Sequence, residues 1–144
     1  MTNLKDIASQ MTAKGKGILA ADESTPTCAK RFESIGVEST FENRNEYRDL
    51  LITAKGMENY IGGVIMFDET LRQSTTGAEK ILFPKYLMSK GVIPGIKVDK
   101  GAKKLAGFSG EKITEGLDGL RERLAEYYDL GARFAKWRAV ITIG

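Results

Sequence analysis

Short apolar segments recur along the chain at intervals of about 30 to 45 residues. Four are present: Gly17–Asp22, Ile61–Phe67, Val92–Val98 and Ala132–Val140. Each contains few polar positions, which is typical of strands that are covered on both faces. Helical patterns fill the intervals between them. This alternation predicts repeated strand–helix units built around a parallel sheet.

Start and stop signals predict where the first helices lie. Apolar residues at helical spacing indicate a leading helix before the first strand: Leu4, Ile7, Ala8 and Met11. Thr25 is a candidate cap and Pro26 a candidate first helical residue, so a short helix is expected from there toward Ser34. Pro84 is expected to open another helix, which Gly91 closes.

Two further helices are predicted to carry apolar stripes. Ser39 and Glu42 form a capping-box pattern, and the helix behind it is expected to end at Gly56 with an apolar stripe of Tyr47, Leu50, Leu51 and Ala54. Thr114 is expected to start the longest helix, which ends at Gly131 and turns inward the residues Leu117, Leu120, Leu124 and Tyr128. Residues 98–114 are predicted to form a hairpin-like excursion rather than another helix.

Four strands, each preceded by a helix, follow one another along the chain. This is the order found in the first half of an eight-stranded (β/α)8 barrel, or TIM barrel. We therefore expect an α/β fold in which residues 1–144 form a single partial barrel domain with a leading helix and no C-terminal half. A doubly wound open sheet is an alternative. Residues 15–20 match the G-x-G-x-x-A pattern of dinucleotide sites, but these glycines precede a strand, whereas the fingerprint must follow one.

Composition and charge exclude several classes of protein. The chain is 42% hydrophobic and 28% charged, as an ordinary globular protein is. No segment matches a signal peptide or a membrane span, so we expect a cytoplasmic protein without membrane contact. The net charge of +3 is small, and the one dense basic group lacks interleaved aromatic residues, which argues against nucleic-acid binding. That group is Lys97, Lys100, Lys103 and Lys104.

The residue types available restrict the chemistry of any site. Histidine is absent, so acid–base chemistry must use carboxylates, lysines or tyrosines. Cys28 is the single cysteine, which excludes an intrachain disulfide and fits a reducing compartment. Because no histidine can activate it, Cys28 is expected to be structural rather than nucleophilic.

Ionisable side chains are predicted to converge on one face of the sheet. Side chains alternate between the faces of a strand, which directs Asp22, Lys97, Asp99, Lys136 and Arg138 to a common face. The opposite face is apolar and is expected to meet helices. In a barrel the common face points inward, and its C-terminal end is the mouth where active sites lie. Asp99 taken alone is expected to meet solvent at its strand end.

Lys136 is the most informative of these residues, since it lies in mid-strand between Ala135 and Trp137. An inward ammonium group there requires a carboxylate or an anionic ligand, because an unpaired buried charge is costly. Asp22 is the available carboxylate on this part of the chain. Two cations and an acid at one barrel mouth suit a phosphorylated substrate and proton transfer.

Several motifs in one order resemble class I fructose-bisphosphate aldolase over essentially the whole chain. They are Ala20–Thr25, Glu42–Arg44, Gly95–Gly101, Gly116–Leu120 and Phe134–Arg138. The resemblance covers a little under half of the family's chain. It implies a (β/α)8 barrel that reversibly cleaves fructose 1,6-bisphosphate to dihydroxyacetone phosphate and glyceraldehyde 3-phosphate in glycolysis, through a lysine Schiff base and without a metal or other cofactor. It also implies a homo-oligomer for the full-length form.

The resemblance implies individual roles as well. Asp22 would exchange protons at the hydroxyl of the cleaved carbon, Lys136 would supply charge beside the reacting centre, and Lys97 would add positive charge. Substrate contacts are expected from Ser24, Thr27, Arg31, Arg44 and Arg138. The family's Schiff-base lysine belongs to a sixth strand that these residues do not include, so the chain alone is expected to be inactive. The alternative is a non-catalytic half-barrel that serves as a binding or interaction module.

Overall fold

A computed structural model describes residues 3–141 and 143. A four-stranded parallel sheet is formed by β1 (Gly17–Ala21), β2 (Ile61–Met66), β3 (Ile93–Lys97) and β6 (Phe134–Lys136), in that spatial order. A separate antiparallel hairpin consists of β4 (Ala102–Lys104) and β5 (Lys112–Thr114). The α-helices are α1 (Leu4–Met11), α2 (Thr25–Glu33), α3 (Phe41–Ile52), α4 (Asp68–Leu71), α5 (Phe83–Ser89) and α6 (Leu120–Asp129), and a 3₁₀ turn covers Met57–Asn59.

The sheet confirms the predicted strand–helix order, since successive strands along the chain are neighbours in space and run parallel. The predicted hairpin in residues 98–114 is also present. The fourth parallel strand is shorter than the predicted Ala132–Val140. Its pairing with β3 ends at Lys136, opposite Lys97, and the Arg138 amide two residues later donates to the Asp99 side chain rather than to a strand.

The apolar core lies between the sheet and the helices on one side of it. Val64 and Met66 of β2 and Ile96 of β3 are buried against α5, whose Phe83 and Leu87 are also buried. Burying a side chain of this size contributes about 1.5–3 kcal/mol. The sheet face predicted to meet helices is therefore the face that carries the core.

Helix α2 begins one residue earlier than predicted. Ser24 is the N-cap, so Thr25 is the first helical residue and Pro26 the second. A proline is accepted there because the first turn of a helix leaves its N–H groups unpaired in any case.

Helix α3 departs further from its prediction. Its N-cap is Thr40 rather than Ser39, and the Thr40 side chain accepts a hydrogen bond from the Asn43 amide at 3.1 Å. The predicted apolar stripe is not the buried face, because Leu50 is 74% exposed. The residues that the helix buries are Arg44, Arg48 and Ile52. They follow each other at intervals of four, so the inner face of α3 is largely ionic.

Helix α6 starts at Leu120, six residues later than Thr114, and α3 rather than α6 is the longest described helix. Thr114 is instead paired with Ala102 in the hairpin. Gly116 and Gly119 follow with positive φ angles of 130° and 63°, a conformation that interrupts a helix. The predicted inward residues Leu117, Leu124 and Tyr128 are exposed, whereas Tyr127 is buried.

Glycine at position 95 has a packing reason. A Cβ atom added there would lie 2.3 Å from the ring of Phe134, its neighbour across the β3–β6 pair. The Phe134 ring therefore lies over the inner face of the sheet, as the strand alternation predicted.

No helix in the described part of the chain is long and apolar enough to cross a membrane.

Candidate active site

Three predicted site residues meet at the C-terminal ends of the parallel strands. Asp22 follows β1 directly, and Lys97 and Lys136 are the last residues of β3 and β6, where they are register partners. Lys136 Nζ donates a hydrogen bond to Asp22 Oδ2 at 2.6 Å. Both side chains are partly buried, with 29% and 14% exposure. The carboxylate partner that the sequence analysis assigned to Lys136 is therefore its partner in the structure.

The contact between Lys136 and Asp22 also shows that the sheet is curved. β1 and β6 are its two outer strands, and three strand spacings of about 4.8 Å would separate them by about 14 Å along a flat sheet. Side chains from their ends nevertheless touch. The sheet must therefore curl toward the face that carries Asp22 and Lys136, which makes this face concave.

Asp99 has a role that the sequence analysis missed. Its carboxylate is 2% exposed rather than solvent-facing, and its Oδ1 lies 3.7 Å from Lys97 Nζ. The same oxygen accepts a hydrogen bond from the Gly101 amide at 3.1 Å, and Oδ2 accepts one from the Arg138 amide at 3.3 Å. Asp99 thus holds the start of the hairpin, one lysine of the site and the backbone after β6.

The two lysines at the strand ends are each matched by a carboxylate. Lys136 faces Asp22, and Lys97 faces Asp99. Arg138 lies just beyond, and its side chain is exposed while its backbone is held by Asp99. Because two of the three cations already have an acidic partner, Arg138 is the one best placed to meet an anion from solvent.

The start of α2 lies next to Asp22 and carries the predicted hydroxyl pair. Ser24 Oγ and Thr27 Oγ1 are 3.1 Å apart. Arg31, one turn later, bonds to the Glu23 carboxylate at 2.7 Å and to the Tyr47 hydroxyl at 2.6 Å. The Glu23 carboxylate raises the pKa of the Arg31 guanidinium, with the Tyr47 hydrogen bond as the next contribution. Half of the Arg31 side chain remains exposed.

Arg44 is not with this group, and its geometry argues against the expected phosphate contact. Its Nε and Nη2 atoms donate to the two Glu69 carboxylate oxygens at 2.8 and 2.7 Å, and Nη1 donates to the carbonyl and hydroxyl of Ser39. All three nitrogens are thus used inside the fold. The Arg44 hydrogen bonds, followed by those of Arg48, lower the pKa of Glu69 to about 2 despite the opposing effect of burial.

Arg48 is a buried residue that the sequence analysis did not identify. Its guanidinium donates to Glu69, to Gln73 Oε1 at 2.9 Å and to the Glu23 carbonyl at 3.3 Å. Its position four residues after Arg44 could have indicated a shared buried face. Charged residues on a helix usually face solvent, so the four-residue spacing by itself does not indicate burial.

Cys28 is fully buried on α2, and its Sγ lies 3.8 Å from the Glu23 carbonyl. Burial raises the pKa of the thiol, although nearby Arg48 opposes this effect. A neutral buried thiol is a poor nucleophile. The structural role expected of Cys28 agrees with this environment.

Comparison with known proteins identifies the family. A family model described as fructose-bisphosphate aldolase class-I matches residues 3–144. The chain belongs to the class I fructose-bisphosphate aldolases. It is 62% identical over 141 residues to a protein from Xylella fastidiosa named "Probable fructose-bisphosphate aldolase class 1", covering 98% of this chain and 42% of that protein. It is 54% identical over 136 residues to the chloroplastic fructose-bisphosphate aldolase 1 of Chlamydomonas reinhardtii, covering 94% and 36%.

A solved aldolase structure extends the comparison to the fold. The Plasmodium falciparum fructose-bisphosphate aldolase, described in ternary complex with TRAP and a small-molecule inhibitor, superposes with a TM-score of 0.91 at 50% identity. The match covers 98% of this chain and 40% of the aldolase chain. The curled parallel sheet is therefore part of an aldolase TIM barrel, and the open-sheet alternative is wrong. The chain spans about two fifths of the length of these relatives.

Proposed function

We propose that the chain is part of an enzyme that reversibly cleaves fructose 1,6-bisphosphate into dihydroxyacetone phosphate and glyceraldehyde 3-phosphate in glycolysis, through a Schiff base. Its 144 residues would form one partial barrel domain. Family membership supports the reaction class. The observation that carries the proposal is the 2.6 Å contact between Lys136 and Asp22 at the strand ends, because it places a cation directly against the carboxylate proposed to transfer the proton.

In this proposal Asp22 takes the proton from the hydroxyl on the cleaved carbon and returns it in the reverse direction. Lys136 holds that carboxylate in place and supplies its counter-charge in a partly buried site. Lys97 adds positive charge on the neighbouring strand, and Asp99 fixes its position. The electrons released by carbon–carbon cleavage pass to the protonated imine, whose nitrogen comes from a lysine other than Lys97 and Lys136.

The substrate phosphates would be bound at the edges of this site. The hydroxyl pair of Ser24 and Thr27 at the N-terminus of α2 suits an anion, because amide groups and the helix dipole favour negative charge there. Arg31 and the exposed Arg138 would supply charge to the phosphates. Arg44 is left out of this set, since its donors are occupied by Glu69 and Ser39.

We also propose a compartment and an assembly for the full-length form. The single cysteine, buried and unpaired, supports a cytoplasmic location. A homo-oligomer of the full-length form is supported by apolar side chains exposed on the hairpin and the loop between its strands, which are Leu105, Phe108 and Ile113. Light scattering on a chimera that joins this chain to the remainder of the Xylella fastidiosa relative, with and without Phe108→Ser, measures the assembly.

A chimera tests the activity. In it, this chain replaces the 141 matching residues of the Xylella fastidiosa relative. We expect the chimera to cleave fructose 1,6-bisphosphate and the 144-residue chain alone to be inactive, because nucleophilic catalysis needs its nucleophile. In the chimera, Asp22→Ala and Lys136→Ala should reduce kcat by more than about tenfold, or about 1.4 kcal/mol, with a smaller change in KM.

The controls separate folding from function. The unmodified relative serves as the reference for turnover, circular dichroism and elution volume. Borohydride reduction of the isolated chain with dihydroxyacetone phosphate, followed by intact mass measurement, should give no adduct. A folded chimera without lyase activity, or a stoichiometric adduct on Lys97 or Lys136, would contradict the proposed function.

A further inference from the structure

The segment that carries Asp22 is held from helix α3. Residues 22–24 lie between β1 and α2, outside any helix or strand. The carbonyl of Glu23, the residue after Asp22, accepts a hydrogen bond from Arg48 Nη2 at 3.3 Å. The Glu23 side chain is held separately by Arg31. A buried guanidinium on one helix is thus bonded to the backbone next to the proposed proton-transferring acid.

Arg48 is itself fixed on several sides. Its side chain is 2% exposed and its charge is matched by Glu69 on α4. Gln73 Oε1 accepts a further hydrogen bond at 2.9 Å. Glu69 is shared with Arg44, so two guanidiniums are packed against one carboxylate. The orientation of the Arg48 fork is therefore determined by α4 and the residues that follow it, and not by solvent.

Stability alone does not explain an arginine at this position. A buried ion pair is commonly no more stabilising than apolar side chains of similar volume, because both charges lose their hydration. An apolar side chain at this position could not donate a hydrogen bond to the Glu23 carbonyl. It could not bond to Glu69 or Gln73 either. The planar fork of arginine allows these simultaneous contacts.

We infer that Arg48 is a positioning residue for the proposed aldolase reaction, which keeps the Asp22 carboxylate in contact with Lys136 by fixing the Glu23 peptide. The inference rests on the proposed function. Arg48 does not touch the reacting atoms and acts through Asp22. A displacement of about 1 Å at a reacting group can cost about a hundredfold in rate, so losing this anchor should affect turnover rather than substrate affinity.

A double-mutant cycle in the chimera tests the inference. Arg48→Met keeps an unbranched side chain of the length of the arginine stem and removes the guanidinium donors. We expect kcat to fall at least about tenfold while KM stays within about threefold. In an Asp22→Asn background, Arg48→Met should cause no further loss, because two residues that act through one group are not additive. Arg48→Lys should recover part of the kcat, since it keeps the charge and one donor nitrogen.

Arg72→Met is the matched control, because Arg72 is an arginine near the same helix α4 but is 42% exposed and pairs with Asp68 and Glu126. It should leave kcat unchanged. If Arg48→Met does not fold, Arg48→Gln is used in the same cycle. If the losses of kcat from Arg48→Met and Asp22→Asn multiply in the double variant, the inference would be overturned while the proposed function would stand. An inactive unsubstituted chimera would overturn the proposed function and this inference with it.

Discussion

Glu69 is expected to make the stability of the chain depend strongly on acid. Its pKa falls from 4.5 to about 2 in the folded state, chiefly because Arg44 and then Arg48 donate hydrogen bonds to it. Since the folded pKa is the lower one, the contribution is complete above the unfolded pKa and is lost as the pH falls toward the folded pKa. At about 1.4 kcal/mol per unit, the full contribution is about 3 kcal/mol.

The perturbation that isolates this contribution is Glu69→Gln, which keeps the shape and removes the charge. From the same two pKa values, about 2 kcal/mol of the parent's unfolding free energy should be lost between about pH 6 and about pH 3 through Glu69 alone. The variant should be less stable than the parent at about pH 6, because two buried guanidiniums lose their counter-charge. That difference should shrink by about 2 kcal/mol at the lower pH.

Equilibrium urea unfolding of both chains across this pH range measures the effect, with circular dichroism and Trp137 fluorescence as two probes whose transitions must coincide. Glu126→Gln is the control, since Glu126 is 52% exposed and pairs with Arg72 at the surface. It should change stability by less than about 1 kcal/mol at either pH. A gap between parent and Glu69→Gln that stays constant with pH would refute the assignment of the low pKa to this cluster.

Three further outcomes are expected. Gly95→Ala should destabilise the chain by about 1–3 kcal/mol through overpacking against Phe134, and a Phe134→Leu background should reduce that cost in denaturant unfolding; equal costs in both backgrounds would contradict the contact. Cys28 should resist iodoacetamide in the native chain and react after denaturation, because burial raises its pKa, and rapid native labelling followed by mass spectrometry would show otherwise. Thr40→Ala should cost about 1 kcal/mol through loss of the α3 cap, whereas Ser39→Ala, one residue before the cap, should cost less in the same assay.

The sequence predicted what depends on local pattern. The apolar runs marked all four parallel strands because a strand covered on both faces has little place for polar residues. Strand alternation also placed Asp22 and Lys136 on one face, and the cost of burying a lone ammonium group paired them. These inferences needed only the strand pattern and the cost of an unpaired buried charge.

What the sequence did not predict depends on contacts between distant residues. Arg44 and Arg48 are buried because Glu69, more than twenty residues later, supplies the counter-charge, and helical periodicity alone assigns arginines to solvent. The start of α6 was placed too early because Thr114 is bound in a hairpin. Asp99 was assigned to solvent for a similar reason, since its hydrogen-bond partners include the backbone of Arg138.

The contact between Asp22 and Lys136 joins residues 114 positions apart, whereas each parallel strand pairs with the strand that precedes it in the sheet order. The entropic cost of closing a loop increases with the length of the loop. The strand pairs close shorter loops, so they should form before this contact does. The pair proposed to act in proton transfer would then be among the last features to assemble during folding. A chain with its strands paired but its sheet not yet curled would have native secondary structure without this contact, so recovery of activity on refolding of the chimera should lag behind recovery of circular dichroism.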